Sequence, residues 1–382
     1  MWFLCRMKGK RSKLRIEKLT LSGFRNIAAG ELNLSPGVNI LYGDNAQGKT
    51  NLLEACWLFT GGKSFRGAKD SEMVAFENEK AVLTMDFEAF ERKQTATISI
   101  SKRRTLELNG IAQKSPTAIT GRFHAVVFCP AHLRLISGAP EERRKFVDSA
   151  YCQLRPAYIH VLSEHARILT QRNALIRAVK NGDISRADGL AQLPVWDEQL
   201  SVAAAKVTLA RVAYLKKITP IASKIYNGLS GGKEQLNVSL LSTVQNAEQA
   251  DVITLRDGYL QAFASSSSHD LSAGFTTVGA HREDVYITID GISAKDFGSQ
   301  GQQRSAILAL KLAEASLLKD ITGEQPVALL DDVMSELDVR RQDYILNHIH
   351  DWQVLITCCD PVAIERQTGG KIIQIQNGNI LV

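Results

Sequence analysis

Apolar and polar residues alternate along the first third of the chain, and this pattern predicts strands. The alternation is clearest at 82–90 and 95–101, where it is typical of a strand buried on one face. A further strand at 105–108 runs into Asn109-Gly110, a pair that favours a tight hairpin turn. We therefore expect antiparallel strands in this part of the chain.

From about residue 140 the apolar positions follow helical spacing instead. Residues 141–180 and 195–226 are rich in Ala, Leu, Arg and Gln. The serine run at 265–268 is typical of a linker or turn, and no sustained heptad repeat indicates a long coiled coil. In the second stretch the positions near helical spacing are Leu200, Ala203, Ala204, Val207, Ala210 and Tyr214.

Strand patterns return after the helical stretch. Residues 284–289 run into the turn pair Asp290-Gly291. Short apolar runs at 327–330 and 354–357 are typical of buried parallel strands, and Asn377-Gly378 predicts one more hairpin. The fold class that we predict is α/β, with the α/β unit split by a helical insertion.

A glycine-rich motif lies between a predicted strand at 38–42 and a helical stretch at 49–60. It matches the phosphate-binding pattern G-x-x-x-x-G-K-[ST] in full. Loop amides and a helix N-terminus attract phosphates, Lys49 adds a cation, and Thr50 adds a hydroxyl for Mg²⁺. We predict that ATP binds here, and the predicted nucleotide-binding residues are Gly43, Asp44, Asn45, Ala46, Gln47, Gly48, Lys49, Thr50 and Asn51.

Two adjacent carboxylates, Asp331 and Asp332, end the apolar strand at 327–330. Asp331 is predicted to hold Mg²⁺, directly or through water. Asp332 could polarise the attacking water as a general base, which makes Asp332 and Lys49 the predicted catalytic residues. Because Lys49 and Asp331 lie near opposite ends of the chain, the two halves of the predicted site bracket an insertion.

Two serine-glycine stretches compete for a third role in nucleotide binding. Residues 229–233 are closer to the L-S-G-G-Q signature of ABC-type ATPases, but they lie too far before Asp331, and we interpret them as a helix C-terminal turn. The second stretch leads into an Ala/Leu-rich helix at 305–318 and forms a second anion site at a helix N-terminus. We predict that it contacts ATP held by another copy of the chain, through Ser299, Gln300, Gly301 and Gln302.

The residues after the paired acids complete the pattern of an ABC-type head. Ser335 and Asp338 lie in a stretch that resembles the D-loop, which crosses the same dimer interface. We predict an ABC-type ATPase head with a parallel P-loop sheet and an antiparallel β subdomain, formed by residues 1–137 and 269–382. The inserted helical arm is predicted at 138–268.

Composition and charge exclude several protein classes. The 45% of apolar and 23% of charged residues are ordinary for a globular protein, and no stretch approaches the roughly 20 apolar residues of a membrane span. None of the six cysteines forms a C-x-x-C pair. We expect a cytoplasmic protein without a membrane partner. A net charge of +6 is compatible with nucleic-acid binding.

Taken together, these motifs are similar to those of the RecF family of ABC-type ATPases, which is related to SMC proteins but has a short helical arm. The resemblance covers nearly the whole chain. Its most specific part is 297–314, with Ser-Gln-Gly-Gln as the core. Shorter parts are 21–26, 171–175 and 196–200.

The resemblance implies a function. RecF-like proteins bind DNA as ATP-dependent dimers, at gapped DNA or at junctions of single-stranded and double-stranded DNA. With RecO and RecR they promote the loading of RecA in DNA repair, replication restart and the SOS response. Slow ATP hydrolysis resets the dimer, so the implied enzyme is a weak ATPase. Candidate DNA contacts in this chain are Arg103, Arg104, Arg143, Arg144 and Lys145.

Some positions depart from the pattern expected of the family. Residues 130–133 and 279–284 differ from it, and residues 357–360, near the switch that senses the γ-phosphate, carry Cys358 and Cys359 where threonines are usual. The first dozen residues resemble an extension, which would make Met7 the start.

Three alternatives stay open at the level of sequence. The ATPase subunit of a membrane transporter shares the three nucleotide motifs, but its phosphate loop and acidic strand lie closer together. An SMC-like tether needs a longer coiled coil than this insertion provides. The third alternative is an ATP-regulated protein-interaction switch that does not contact DNA.

Overall fold

Strands predominate at the two ends of the described chain, and four long helices, within residues 140–273, lie between them. The computed structural model describes residues 14–381, and its strands are β1 (Arg15–Phe24), β2 (Ile27–Asn33), β3 (Val38–Tyr42), β4 (Ala81–Ala89), β5 (Arg92–Ile100), β6 (Arg104–Leu108), β7 (Ile111–Ala112), β8 (Ala125–Phe128), β9 (Leu236–Leu241), β10 (Asp284–Ile289), β11 (Ile292–Ser293), β12 (Val327–Asp331), β13 (Val354–Cys358), β14 (Lys371–Gln376) and β15 (Asn379–Leu381).

The helices are α1 (Lys49–Leu58), α2 (Pro140–Leu154), α3 (Tyr158–Asn181), α4 (Arg186–Leu229), α5 (Val252–Ala273), α6 (Gln300–Thr322), α7 (Val339–Ile349) and α8 (Val362–Thr368). The predicted N-terminal extension, with its start at Met7, lies outside the described residues. Within 14–381, no helix combines the length and the apolar character that crossing a membrane requires.

The described chain divides into two compact units. The first unit contains residues 14–131 and 315–381, and the second contains 132–314. The domain limits predicted above, 1–137 with 269–382 and 138–268, differ from these and stay a prediction.

The first unit contains two six-stranded sheets. One is antiparallel, in the order β2-β1-β4-β5-β6-β7, and the other has the order β15-β14-β3-β13-β12-β8. In the second sheet β8, β12, β13, β3 and β14 are parallel neighbours. Side chains from both sheets and from α1 share one core, including Leu19, Leu52, Phe87 and Leu329. The predicted α/β class, with a parallel sheet and an antiparallel β subdomain, is confirmed.

Hairpin turns in this unit follow the predicted Asn-Gly chemistry. Asn109 and Gly110 join β6 to β7 with φ of 50° and 78°, and Asn377 and Gly378 join β14 to β15 with φ of 49° and 77°. A type I′ turn needs positive φ at both positions, which asparagine and glycine tolerate.

The second unit is built on α3, α4 and α5, which pack around Ile168, Leu200, Val207, Tyr259 and Phe263. The helices predicted at 141–180 and 195–226 are confirmed. A three-stranded antiparallel sheet, β11-β10-β9, completes the unit. The sequence analysis did not predict β9. Because β9 pairs with β10 from Leu236↔Ile289 to Leu241↔Asp284, strands on either side of α5 belong to the same unit.

The prediction of a linker or turn at 265–268 is wrong, because α5 continues through the serine run to Ala273. The hydroxyls of Ser266 and Ser267 donate to the carbonyl oxygen of Phe263 at 3.2 and 2.8 Å. Serine satisfies its polar group within the helix in this way and does not require a turn. The helix ends instead at Gly274, which has φ of 89°.

Two arginines pair with four carboxylates inside the second unit, and three of these carboxylates are buried. Arg172 is fully buried and donates to Asp197 at 2.7 Å and to Asp270 at 2.6 Å. Arg211 likewise pairs with Asp148 at 2.7 Å and with Glu283 at 2.9 Å. Burial raises the pKa of Asp197, and the charge of Arg172 opposes that shift. Removing one partner of such a pair leaves a buried charge uncompensated.

We predict that Arg172→Ala destabilises the protein by about 3–5 kcal/mol, because it leaves two buried carboxylates without their cation. Urea unfolding followed by circular dichroism would measure the midpoint. The control is Arg256→Ala, which removes an exposed ion pair with Asp257 and should cost less than about 1 kcal/mol. Equal midpoints for the two variants would contradict a structural role for Arg172.

Candidate nucleotide-binding site

The glycine-rich loop follows β3, which lies between β14 and β13 in the parallel sheet. The loop leads directly into α1, so the predicted strand–loop–helix arrangement is confirmed. Gly43 and Gly48 have φ of 154° and 112°, which L side chains rarely adopt. A Cβ on Gly43 would also lie 2.2 Å from the carbonyl oxygen of Ile375. Glycine is therefore required here by both conformation and space.

The side chain of Lys49 curls back over the loop. Its Nζ donates to the carbonyl oxygens of Gly43 and Asp44, the latter at 2.9 Å, and lies 3.7 Å from Cys359 Sγ. That thiol donates to Asn45 Oδ1 at 3.3 Å. The Lys49 ammonium group therefore lies against the first residues of the glycine-rich loop.

Thr50 and Asp331 meet although they come from opposite ends of the chain. Thr50 Oγ1 donates to Asp331 Oδ1 at 2.7 Å, and Thr357 Oγ1 donates to the same oxygen at 3.1 Å. The contact exists because β12 and β13 are parallel neighbours, as are β13 and β3, and their carboxyl ends meet at one edge. Burial raises the pKa of Asp331, and the two threonine hydrogen bonds partly offset the shift.

Hydroxyl and carboxylate oxygens are the ligands that Mg²⁺ prefers. Thr50 and Asp331 place one of each at this edge of the sheet, 2.7 Å apart. The donor set therefore fits a magnesium ion bound beside nucleotide phosphates.

Asp332 turns away from the strand that carries Asp331. Its φ is 49°, a conformation that aspartate tolerates better than most residues. Its backbone N–H donates to Thr357 Oγ1 at 2.9 Å. The half-buried Asp332 carboxylate accepts from Ser335 Oγ at 3.2 Å. The two acids thus face different surroundings, one beside Thr50 and the other toward the loop before α7.

The two predicted D-loop residues have local partners. Ser335 Oγ also donates to the carbonyl oxygen of Asp332, at 2.8 Å. Asp338 caps α7 by accepting from the backbone N–H of Arg341 at 3.1 Å. These bonds give the segment 332–338 a defined shape.

Sequence reasoning missed a polar chain beside the loop. Arg66 Nη1 donates to Asn51 Oδ1 at 2.9 Å, and Asn51 Nδ2 donates to Asn26 Oδ1 at 2.7 Å. Asn26 Nδ2 in turn donates to the carbonyl oxygen of Ala46 at 3.4 Å. Burial raises the pKa of Asp331, and the charge of Arg66 opposes that rise. The hydrogen bond to Asn51 thus connects a second cation, Arg66, to the first turn of α1.

The β14–β15 hairpin supports the glycine-rich loop. Sequence reasoning also missed this contact. The backbone N–H groups of Asn377 and Gly378 donate to the side-chain and main-chain oxygens of Gln47, at 2.5 and 2.9 Å. A Cβ on Gly378 would lie 2.1 Å from the carbonyl oxygen of Asn26. The turn pair was visible in the sequence, but its partner was not.

The serine-glycine signature lies in the second unit, at the start of α6. Ser299 Oγ accepts from the Gln302 backbone N–H at 3.2 Å, and Gln302 Oε1 accepts from the Ser299 N–H at 2.8 Å. This reciprocal cap begins the helix at Gln300, earlier than the predicted 305. Gly301 lies in the first turn of the helix. The competing stretch 229–233 is the C-terminal turn of α4, as predicted.

The five candidate DNA contacts differ in burial and in their hydrogen-bond and ion-pair partners. Arg143 is buried and its guanidinium donates to Asp284 at 2.7 and 2.8 Å, so it is not placed to contact DNA. Arg144 donates to the carbonyl oxygen of Glu283, and Lys145 pairs with Glu141 at 2.7 Å. Arg104 pairs with Asp70 at 2.6 Å. Arg103 is exposed.

Comparison with known proteins places the chain in a family. The family model described as the RecF/RecN/SMC N-terminal domain matches residues 15–379. A protein named DNA replication and repair protein RecF, from Acetivibrio thermocellus, is 33% identical over 94% of this chain and 97% of its own length. The chain belongs to the RecF family. The resemblance to the RecF family that the sequence motifs indicated is thereby confirmed.

Solved structures agree with this assignment. A structure described as the recombination mediator protein RecF with ATP in the RecFOR pathway matches with a TM-score of 0.90 and 32% identity, covering 98% of this chain and 99% of that one. The Smc head domain from Pyrococcus furiosus matches with a TM-score of 0.53 and 17% identity, over 96% and 95%. The second likeness concerns the fold alone, and it agrees with the predicted ABC-type head.

We predict that Gly378→Ala weakens binding of a fluorescent ATP analogue by about tenfold, or about 1.4 kcal/mol, because the new methyl group pushes the hairpin turn away from Asn26 and Gln47. The control is Gly291→Ala, in the Asp290-Gly291 turn. Gly291 also has positive φ, 80°, but no atom lies within 4 Å of its added Cβ. Equal nucleotide affinity in the two variants would show that the hairpin does not support the loop.

Proposed function

We propose that this chain is an ATP-dependent, DNA-binding recombination mediator of the cytoplasm. In this proposal it binds gapped DNA or junctions of single-stranded and double-stranded DNA, acts with RecO and RecR, and promotes RecA loading during DNA repair. The observation that carries the nucleotide part is the contact between Thr50 and Asp331. It brings together two motifs from opposite ends of the chain, to which the proposal assigns the phosphates and the metal.

The residues of the site have distinct proposed roles. The amides of loop 43–48 and the Lys49 ammonium bind the outer phosphates of ATP. Thr50 and Asp331 would hold Mg²⁺, which when bound neutralises charge that develops on the phosphates. Arg66, which donates to Asn51, adds a second positive charge beside the first turn of α1. Asp332 accepts a proton from water as general base, and the Ser335 hydroxyl competes for its carboxylate.

Slow turnover is part of the proposal. An aspartate reaches less far than a glutamate, and Asp332 is held by its bond to Ser335. A weak ATPase suits a protein whose nucleotide controls assembly, because the ATP-bound state then persists long enough to act. Membership of the RecF family favours this function over a transporter subunit.

Dimerisation is proposed to occur with ATP at the interface. The reciprocal cap of Ser299 and Gln302 orders the first turn of α6, and Ser299 and Gln300 are exposed. A helix N-terminus that presents a serine and the Gly301 backbone is suited to an anion. In the proposed dimer that anion is the γ-phosphate bound by the partner copy.

The experiment that tests the function is fluorescence anisotropy on a gapped duplex, with ATP, with ADP and without nucleotide. We expect the tightest binding with ATP. Lys49→Ala should abolish this ATP effect, because it removes the cation at the phosphates, and it should lower ATP affinity at least tenfold in a separate nucleotide titration. DNA binding that is the same under all three conditions would contradict the proposed nucleotide control.

The proposed contact between Ser299 and the ATP bound by the partner copy predicts a defect in dimerisation that is separate from ATP binding. Ser299→Arg should leave ATP binding by the monomer unchanged and block ATP-driven dimerisation, because the bulky side chain enters the partner's phosphate site. Analytical ultracentrifugation with ATP measures the dimer. Lys295→Arg, at an exposed position shortly before Ser299, is the control. A normal ATP-driven dimer of Ser299→Arg would reject the trans contact.

A further inference from the structure

Within residues 14–382, positive charge is concentrated in two short segments of the first unit. The whole chain carries +6, but residues 1–13 contain five basic and no acidic residues, which leaves +1 for 14–382. Residues 61–70 and 101–104 together contain six basic residues and one acidic residue, a net charge of +5. The rest of 14–382 is therefore net acidic. A local concentration of this kind attracts a polyanion far more strongly than the same charge spread over the surface.

Arg104 joins the two segments. Its Nη2 donates to Asp70 Oδ1 at 2.6 Å, its Nε donates to Asp70 Oδ2 at 3.2 Å, and its Nη1 donates to the carbonyl oxygen of Gly62 at 2.9 Å. The Arg104 side chain is only 10% exposed. Its guanidinium thus fixes both ends of the loop 62–70 against the β5–β6 turn.

Four other cations are close in sequence to the three residues that these hydrogen bonds join. Lys63 follows Gly62, Lys69 precedes Asp70, and Lys102 and Arg103 precede Arg104. All four are exposed, and none has an ion-pair partner within residues 14–381. By contrast, the other predicted DNA candidates, Arg143, Arg144 and Lys145, are each bonded to an acidic side chain or a carbonyl oxygen.

We propose that Lys63, Lys69, Lys102 and Arg103 form a phosphate-binding surface for duplex DNA, here named the basic surface, and that the Arg104–Asp70 pair assembles it. This inference deepens the proposed function and rests on it. Unpaired, exposed lysine and arginine bind duplex phosphates by releasing counterions. Arg104, a candidate DNA contact in the sequence, becomes a positioning residue instead.

The same loop also reaches the nucleotide site. Arg66 lies midway between Lys63 and Lys69 and donates to Asn51 at 2.9 Å, in the first turn of α1. A shift of the loop would therefore move groups that face the nucleotide and groups that face DNA together.

The test measures DNA affinity with ATP as a function of salt. The neutral double variant Lys69→Gln/Arg103→Gln should bind the gapped duplex at least tenfold more weakly at about 0.1 M salt. The slope of log K against log salt should fall by about 2, or about 0.9 for each phosphate that is no longer neutralised. The matched control is Lys206→Gln/Lys217→Gln, two exposed lysines of α4 in the second unit, with the same change in charge.

The outcomes separate this inference from the proposed function. If the wild-type protein shows no ATP-dependent DNA binding, the proposed function fails. If the wild-type protein binds DNA with ATP and the Lys69/Arg103 variant has the same DNA affinity and salt slope, the proposal that the basic surface binds DNA is wrong. An equal loss in the control variant would also overturn it, because the effect would then reflect net charge alone. ATP affinity should stay unchanged in both variants.

Asp70→Ala tests the positioning role of Arg104. This substitution removes one negative charge, so counting charges alone predicts tighter DNA binding. Loss of the pair should instead release the loop 62–70 and weaken DNA binding several-fold. Tighter binding by Asp70→Ala would contradict the role of the pair in assembling the surface.

Discussion

The parallel alignment of β3, β13 and β12 is the constraint on which the site depends. Thr357 pairs with Leu41 on one side and with Asp331 on the other, so strands from both ends of the chain finish at one edge. The hydrogen bond from Thr50 to Asp331 follows from that alignment. A single residue of slip between β12 and β13 would move the carboxylate to the opposite face of the sheet.

Much of the fold could be predicted because its signals are local. The glycine-rich loop, the paired acids and the Asn-Gly turns each carry their chemistry within a few residues. The Thr50–Asp331 contact was predictable in kind, since phosphate loops and acidic strand ends act together. The serine run failed as a linker signal because Ser266 and Ser267 satisfy their hydroxyls on a helical carbonyl.

The rest of the site could not be predicted because its partners are distant and have no spacing rule. Nothing in the sequence around Arg66 indicates Asn51, and nothing in Asn377-Gly378 indicates Gln47, which lies near the other end of the chain. Arg104 and Arg103 are neighbours in one basic run, yet Arg104 is largely buried and paired while Arg103 is exposed. Tertiary packing, and not local charge, assigns them different tasks.

The hairpin that braces the glycine-rich loop has a consequence for biosynthesis. A nascent chain emerges from the ribosome in order and folds as its parts become available. The loop at 43–48 emerges early, but Asp331 and the Gln47 support from Gly378 are among the last parts of the chain to be made. Throughout most of translation the phosphate loop therefore lacks both the Asp331 carboxylate and the β14–β15 hairpin that supports Gln47. The order of synthesis therefore delays completion of the nucleotide site until the last part of the chain has been made.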